Sequence, residues 1–465
     1  MAAPIGLRSR RKPTIGKPFL TPISTCLLRQ KLSMSVIIRS TLAEISSGLS
    51  GARKHPAGGL LSNSIQHKAH VMSRMTVEQL RQDLPMTGEV GYFQTGTYGP
   101  ASDSVLQAVR ETMETEARHG PATPAGRQSH TEREAAARSG LARMLNVEEE
   151  ELGIETNTSR AMQQIVRGLD WQEGDEFVMT SLEHVSTYGL SYSLEQQHGV
   201  KTIVLGEVYD EHLLGDLASV LTERTRLICL SHIASPNGRL LPCKQAAAIA
   251  HEAGVPVMLD LAQSVGQMPV DLKELDCDFA VGSGHKWLLG PMGTGYMYIS
   301  QDQIPGFHPN FIPDRSPWSL PDAPTPAPTA RSRTEIGTYN HALVVGLGRA
   351  VEIMESIGLD KMQERITQLS GRLRQGVGHI DRARIITPQE PGKSAGITSL
   401  MFDGFTKTDL DGLVDRMHER HQTVVKSQWL TAPPDPVKVA MRISVAAFND
   451  ESEVDRLLEG LDEEL

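Results

Sequence analysis

The stretch Asp278-Phe-Ala-Val-Gly-Ser-Gly-His-Lys-Trp-Leu-Leu-Gly-Pro-Met-Gly-Thr-Gly-Tyr-Met297 sets the reading of the whole chain. An apolar run ends in small residues, presents His285 and Lys286, and passes through glycines into a second apolar run. The small residues on either side let backbone and a ligand come close to the lysine. A lysine in such a place has two readings. It is a solvated surface group, or it is an amine whose charge is disfavoured by partial burial and which forms a Schiff base with a carbonyl.

Upstream lies Val255-Pro-Val-Met-Leu-Asp-Leu-Ala-Gln-Ser264, an apolar strand that ends in Asp260 with Gln263 three residues on. A Schiff-base lysine preceded by a strand-end acid is the pair that pyridoxal phosphate needs, because the aldehyde takes the amine and the pyridinium nitrogen takes the carboxylate. Together these residues resemble the lysine signature of the class V aminotransferases. That family of pyridoxal-phosphate enzymes includes cysteine desulfurases, cysteine/cystine lyases, isopenicillin N epimerase-like proteins and transaminases. The resemblance runs from about Tyr92 to the C-terminus, with the motifs in the same chain order. It implies the α/β architecture of fold type I: a large domain on a mostly parallel seven-stranded sheet, followed by a smaller C-terminal α+β domain.

The remaining motifs extend the resemblance. Glu151 to Met162 reads as a strand, a Thr/Asn/Ser turn and a helix start, where free amides and the helix dipole favour an anion. On residue chemistry alone the preferred reading is a plain helix cap by Asn157 or Thr158. The resemblance makes Thr158 and Ser159 part of the phosphate cradle, together with Ser283 and His285. His184, after the strand at Glu176, matches the histidine that stacks on the pyridine ring, and Gln263 matches the residue that bonds the ring oxygen. Gly96 and Thr97, in the Gly91–Pro100 turn, match the lining of the substrate pocket. Arg442 sits inside an apolar strand, where a guanidinium either makes a structural salt bridge or grips a substrate carboxylate bidentately; it matches the family's substrate arginine. In Arg333-Thr-Glu-Ile-Gly-Thr338, the resemblance gives Thr338 a phosphate contact in the neighbouring subunit, and so implies a homodimer with shared active sites. At Ser235 the desulfurases carry an asparagine, whereas the Ser-Pro turn here is similar to the epimerase-like and lyase-like branches.

The chain has 465 residues, enough for two or three domains. Residues 1–75 hold twelve Lys and Arg but one acid, Glu44, and lack sustained periodicity. They read as an organelle transit peptide, a disordered basic arm, or sequence upstream of a start at Met72 or Met75. The rest carries 34 basic and 55 acidic residues and only nine lysines, a surface that should not bind nucleic acid or anionic membrane. Four separated cysteines give neither a disulfide framework nor a metal site, so a reducing cytosol is the expected compartment. Alternating strands and helices place the cofactor domain at 76–340, with 76–100 a candidate to pack on the small domain. A helical connector and the small domain follow at 341–465, after a proline-rich linker at 305–328.

Substrate amine displaces Lys286 from the cofactor in the expected mechanism, and Lys286 then acts as general base with Asp260 holding the ring nitrogen protonated. A desulfurase needs a thiolate on the loop before the substrate arginine, and residues 421–441 contain no cysteine. An amino-acid aminotransferase or a cysteine/cystine C–S lyase is therefore expected. Epimerisation, a desulfurase lacking that cysteine and a non-catalytic cofactor-binding regulator are the alternatives.

Overall fold

The computed structural model describes residues 75–206, 210–308, 328–430 and 438–465. The basic leader and most of the expected proline-rich linker lie outside these residues. Val71–Leu465 cluster as one compact unit.

Thirteen strands are present among the described residues. They are β1 Gly91–Tyr92, β2 Leu152–Glu155, β3 Glu176–Thr180, β4 Lys201–Leu205, β5 Thr225–Ser231, β6 Val257–Asp260 and β7 Phe279–Ser283. After these come β8 Gly295–Ile299, β9 Ala383–Ile385, β10 Ile397–Phe402, β11 Thr423–Val424, β12 Lys426–Trp429 and β13 Val439–Ser444. Seven of them form the main sheet in the order β2-β8-β7-β6-β5-β3-β4. β8 runs antiparallel to both its neighbours, and the strands from β7 to β4 are parallel.

Side-chain alternation decides why this sheet takes helices on both faces. Ile228, Leu230, Val257, Leu259 and Ala280 join one apolar cluster, while Leu227, Cys229, Met258, Phe279 and Val281 join another. A period of two sends successive residues to opposite faces, so strands apolar throughout need cover on each. Leu213 and Leu217, Ala246 and Ala250, and Leu347 and Val351 bring helices Asp210–Val220, Cys243–Glu252 and His341–Ile357 to the first cluster. Met162, Ile165, Leu190 and Leu194 bring helices Thr158–Arg167 and Val185–His198 to the second. Burying each such Leu or Ile contributes about 1.5–3 kcal/mol.

A second sheet, β12-β13-β10-β9, is antiparallel throughout. It shares a third cluster with helices Leu359–Val377, Lys407–His421 and Glu451–Glu464. Phe93 is buried in that cluster, and β1 pairs with β11, so the segment after Gly91 packs with the C-terminal sheet. Helix Pro124–Leu145 begins where Thr123 accepts from Gly126 N–H at 3.1 Å and Pro124 occupies the first turn, where its missing N–H costs nothing.

Candidate active site

All the site residues selected from sequence, Thr338 excepted, line one cavity of about 320 Å3. It opens beyond the C-terminal ends of β5, β6 and β7, where ligands bind in parallel α/β sheets. Its opposite wall comes from β12 and β13.

Lys286 follows β7 in a tight turn in which its carbonyl accepts Leu289 N–H at 3.0 Å. Leu289 holds a left-handed φ of 56°, a conformation that bulky residues adopt only when their surroundings enforce it. Gly99 N–H donates to the His285 carbonyl at 2.8 Å, and a Cβ at Gly99 would collide with the Lys286 carbonyl oxygen. Only glycine lets the two loops come this close. Burial drives the Lys286 amine down to about 8; Asp260 opposes the shift and Arg442 adds to it.

Asp260 ends β6 and is 6% exposed. Burial raises its carboxyl above the usual range, against the pull of Lys286 and of Ala262 N–H, which donates to Oδ1 at 2.8 Å. Oδ2 has no hydrogen bond among the described residues. His184 caps helix Val185–His198, its Nδ1 accepting Ser186 N–H at 3.2 Å. Burial first, then Lys286, Lys426 and Arg442, push its ring down to about 4, so the imidazole is neutral at pH 7.

At the N-terminus of helix Thr158–Arg167, Thr158 Oγ1 and Ser283 Oγ lie 2.6 Å apart, and Ser159 Oγ lies 2.6 Å from Ser186 Oγ. Asn157 is the cap, its Oδ1 accepting Arg160 N–H at 3.0 Å, which leaves the Thr158 and Ser159 hydroxyls on the cavity wall. Nearby, His285 Nδ1 is buried and has no hydrogen-bond partner among the described residues.

Arg442, 2% exposed, donates from Nη1 to Ser235 Oγ at 2.8 Å and from Nη2 to Thr97 Oγ1 at 2.6 Å, while its Nε has no partner. Among the described residues no carboxylate pairs with it, so the structural salt bridge that sequence left open is not formed. Burial lowers its guanidinium to about 10. Gln263 ties the loops together, donating to the Gly96 carbonyl at 2.9 Å and accepting Trp287 Nε1–H at 2.8 Å. Thr338 lies exposed outside the cavity. Its motif is anchored by Glu335, which accepts from Arg138 at 2.7 Å and from Ile154 N–H at 2.8 Å.

Two charged residues of the site are new. Glu183 is buried behind β5, accepting Ser231 Oγ–H at 2.6 Å, Ser231 N–H at 3.0 Å and Thr180 Oγ1–H at 2.7 Å. Burial lifts its carboxyl to about 7, and the nearby Asp260 charge adds to the rise. Its position directly before His184 was the available signal. Lys426, on β12, lines the cavity, and β12 is a short strand of mixed polarity with no apolar alternation to reveal it.

These groups match pyridoxal phosphate in donor chemistry. Lys286 would supply the amine, Asp260 an open carboxylate oxygen for the ring nitrogen, and His184 a neutral ring to stack on the pyridine. Thr158, Ser159, Ser283 and the unpartnered His285 Nδ1 would hold the phosphate.

Residues 97–457 match the sequence profile of the family described as aminotransferase class-V. A probable cysteine desulfurase of Methanothermobacter thermautotrophicus is 28% identical over 401 residues, covering 84% of this chain and 98% of that protein. The isopenicillin N epimerase of Streptomyces clavuligerus is 26% identical over 341 residues, covering 70% and 83%. Among solved structures, cysteine desulfurase from Thermococcus onnurineus superposes with a TM-score of 0.74 at 27% identity, covering 84% of this chain and 98% of that one. The cystine C–S lyase C-DES, in complex with its product cysteine persulfide, gives 0.73 at 25%, covering 82% and 99%. The chain belongs to the class V aminotransferase family, and it is a pyridoxal-phosphate-dependent enzyme of fold type I.

Proposed function

We propose that the protein cleaves the Cβ–S bond of cysteine or cystine by β-elimination, without passing sulfur to a protein thiol. One observation carries this reading. Cys229, Cys243 and Cys277 are all buried, burial raises each thiol further from ionisation, and residues 421–441 hold no cysteine. A thiolate acceptor needs exposure and a lowered pKa. The cysteine-using relatives and the C–S lyase neighbour support the substrate class.

The bound cofactor supplies an electron sink for charge released at the substrate α-carbon. Arg442 binds the α-carboxylate, with Ser235 and Thr97 fixing the plane of its guanidinium. Lys286, neutral above about pH 8, takes the α-proton. Asp260 would hold a proton on the ring nitrogen of the cofactor, and His184 would stack against that ring. The electron pair left by the α-proton expels sulfur from Cβ, and the freed enamine hydrolyses to pyruvate and ammonia. Transamination would use the same groups, but it returns a proton, leaves the Cβ–S bond intact and needs a keto acid to take the amine. Product analysis separates these routes. Pyruvate and ammonia in equal amounts support elimination, whereas stoichiometric alanine with protein-bound sulfur would sink it.

Residues 76–340 serve as the cofactor-binding part and 341–465 as connector and small sheet. The dimer we propose places Thr338 at the partner subunit's phosphate site. Tyr98 on the cavity wall, 49% exposed, supports a second copy covering the mouth. Sedimentation tests this: a fully active monomer would remove the dimer. The buried free thiols fit a reducing compartment such as the cytosol.

A further inference from the structure

The stacking histidine and the phosphate cradle meet through one residue that sequence did not single out. Ser186 is the second residue of helix Val185–His198, and Ser159 is the second residue of helix Thr158–Arg167. Their hydroxyls lie 2.6 Å apart, and Ser186 Oγ also lies 2.9 Å from His184 Nδ1. Three polar atoms thus stand in series, from the imidazole through Ser186 to Ser159, and all three residues line the cavity.

Counting protons limits what this series can do. Ser186 N–H donates to His184 Nδ1 at 3.2 Å, so that nitrogen is an acceptor and the proton of the neutral ring sits on Nε2. Each hydroxyl brings one proton. Running inward, Ser159 donates to Ser186 and Ser186 donates to Nδ1, which leaves only lone pairs of Ser159 for a group in the cavity. Running outward, Ser186 donates to Ser159, and the Ser159 proton is free for that group. His184 Nδ1 then keeps the backbone N–H and loses the hydroxyl. Phosphate oxygens accept and do not donate, so Ser159 holds them only in the outward direction. The other hydroxyl pair of the cradle, Thr158 and Ser283, has no third member among the described residues. One of its protons joins the two oxygens and the other is free, with no consequence for His184.

We infer that Ser186 is a positioning residue that couples phosphate occupancy to His184: phosphate held by Ser159 turns both hydroxyls outward and removes one of the two hydrogen bonds on His184 Nδ1. An imidazole whose lone pair is less engaged is richer in electrons. The ring that stacks on the pyridine is therefore tuned by what the cradle at the other end of the cofactor holds. This goes beyond the reaction proposed above and rests on the cofactor site alone.

The test compares protein loaded with pyridoxal phosphate and protein loaded with pyridoxal, which brings the same ring without the phosphate. Nitrogen-15 NMR of labelled histidine follows His184 Nδ1, its resonance assigned with His184→Gln. In the parent the Nδ1 resonance should lie further downfield with pyridoxal phosphate than with pyridoxal, the direction expected when a pyridine-type nitrogen loses a hydrogen bond. Ser186→Ala has no hydroxyl to turn and should lose most of this difference, and Ser186→Thr should restore it. Affinity gives a second readout. Ser159→Ala removes a hydrogen bond to a charged group and should cut the preference for pyridoxal phosphate over pyridoxal about tenfold or more, Ser186→Ala about twofold or less. An Nδ1 resonance that is the same with both ligands in the parent overturns the inference, and so does a difference that persists unchanged in Ser186→Ala. A preference lost as fully in Ser186→Ala as in Ser159→Ala overturns it too, because Ser186 would then be a direct phosphate ligand. Should Ser186→Ala fail to fold, Ser186→Gly takes its place, and the parent comparison still decides whether the hydroxyls turn.

Discussion

The wall built at the ends of β5, β6 and β7 and the wall built by β12 and β13 face each other across one cavity, and they differ in what their polar groups already hold. On the first, Glu183 is bonded to Ser231, Thr158 to Ser283, Asp260 to Ala262 and Gln263 to Trp287. On the second, Arg442 rests on two hydroxyls, and Lys426 has no hydrogen bond or ion pair among the described residues. A buried group with its partners in place is rigid, whereas a cation withdrawn from water without an anionic partner is poised to take one. On the proposed reading the main sheet carries the groups of the reaction and the smaller sheet those that meet the substrate. Substitutions on the first wall should damage catalysis for every substrate, and those on the second should change which substrates are used.

The largest effect is expected on the first wall. Lys286→Ala should abolish turnover and leave no borohydride-reducible link to pyridoxal phosphate. A protein that still showed covalent cofactor after reduction and digestion would place the amine elsewhere. Asp260→Asn comes next. An amide cannot stabilise a protonated ring nitrogen, and losing about 3–4 kcal/mol of electrostatic stabilisation slows the reaction on the order of a hundredfold or more. The loss should be similar for acidic and neutral amino acids. Turnover close to that of the parent would take Asp260 out of the mechanism and break the contrast between the walls.

How far sequence reaches follows the same division. Each position of the first wall stands at the end of an apolar strand or the start of a capped helix, and those signals are local. Asp260 follows Val257-Met-Leu, and Thr158 follows Asn157, a cap that accepts from Arg160. Arg442 was legible because a charge inside an apolar strand is conspicuous. Lys426 was not, because β12 has no apolar face and becomes a wall only by pairing with β13. Glu183 shows a different limit. Its neighbour His184 was readable, but a glutamate three residues beyond Thr180 reads as solvent-facing until β3 and β5 are packed around it. The proline-rich linker was recognised by composition alone and lies outside the described residues.

The acid–base state of the first wall gives a smaller, graded effect. Attachment of the cofactor needs a neutral Lys286, and its amine sits near 8 rather than at the usual lysine value. Below that pH the neutral fraction falls about tenfold per unit. The rate of pyridoxal phosphate attachment to the apoprotein should therefore rise with pH and level off above about 8. His184, displaced to about 4, stays neutral across this range and should not shape the profile. Stopped-flow absorbance would follow the reaction. A flat rate between pH 6 and 9 would show that the Lys286 proton does not control attachment.

The smallest effect should come from removing every thiol, which separates sulfur release into solution from sulfur capture by either wall. Cys229 lies within the second apolar cluster, and Cys243 and Cys277 within the first. A thiol in such surroundings behaves as a small hydrophobe. Replacing these three by alanine, and Cys26 by serine, removes one sulfur from each buried site. Each buried change should cost about 1–2 kcal/mol, lowering Tm by a few degrees in a protein of this size. The chemistry should persist, with kcat/KM for cystine within about twofold of the parent and the same yield of pyruvate. The reason is geometric as well as electrostatic: none of the three buried thiols lines the cavity, and burial holds each in its protonated form. Loss of activity on one Cys→Ala change, restored by no other, would mean that a buried thiol reaches the substrate sulfur. The elimination route would then give way to persulfide transfer.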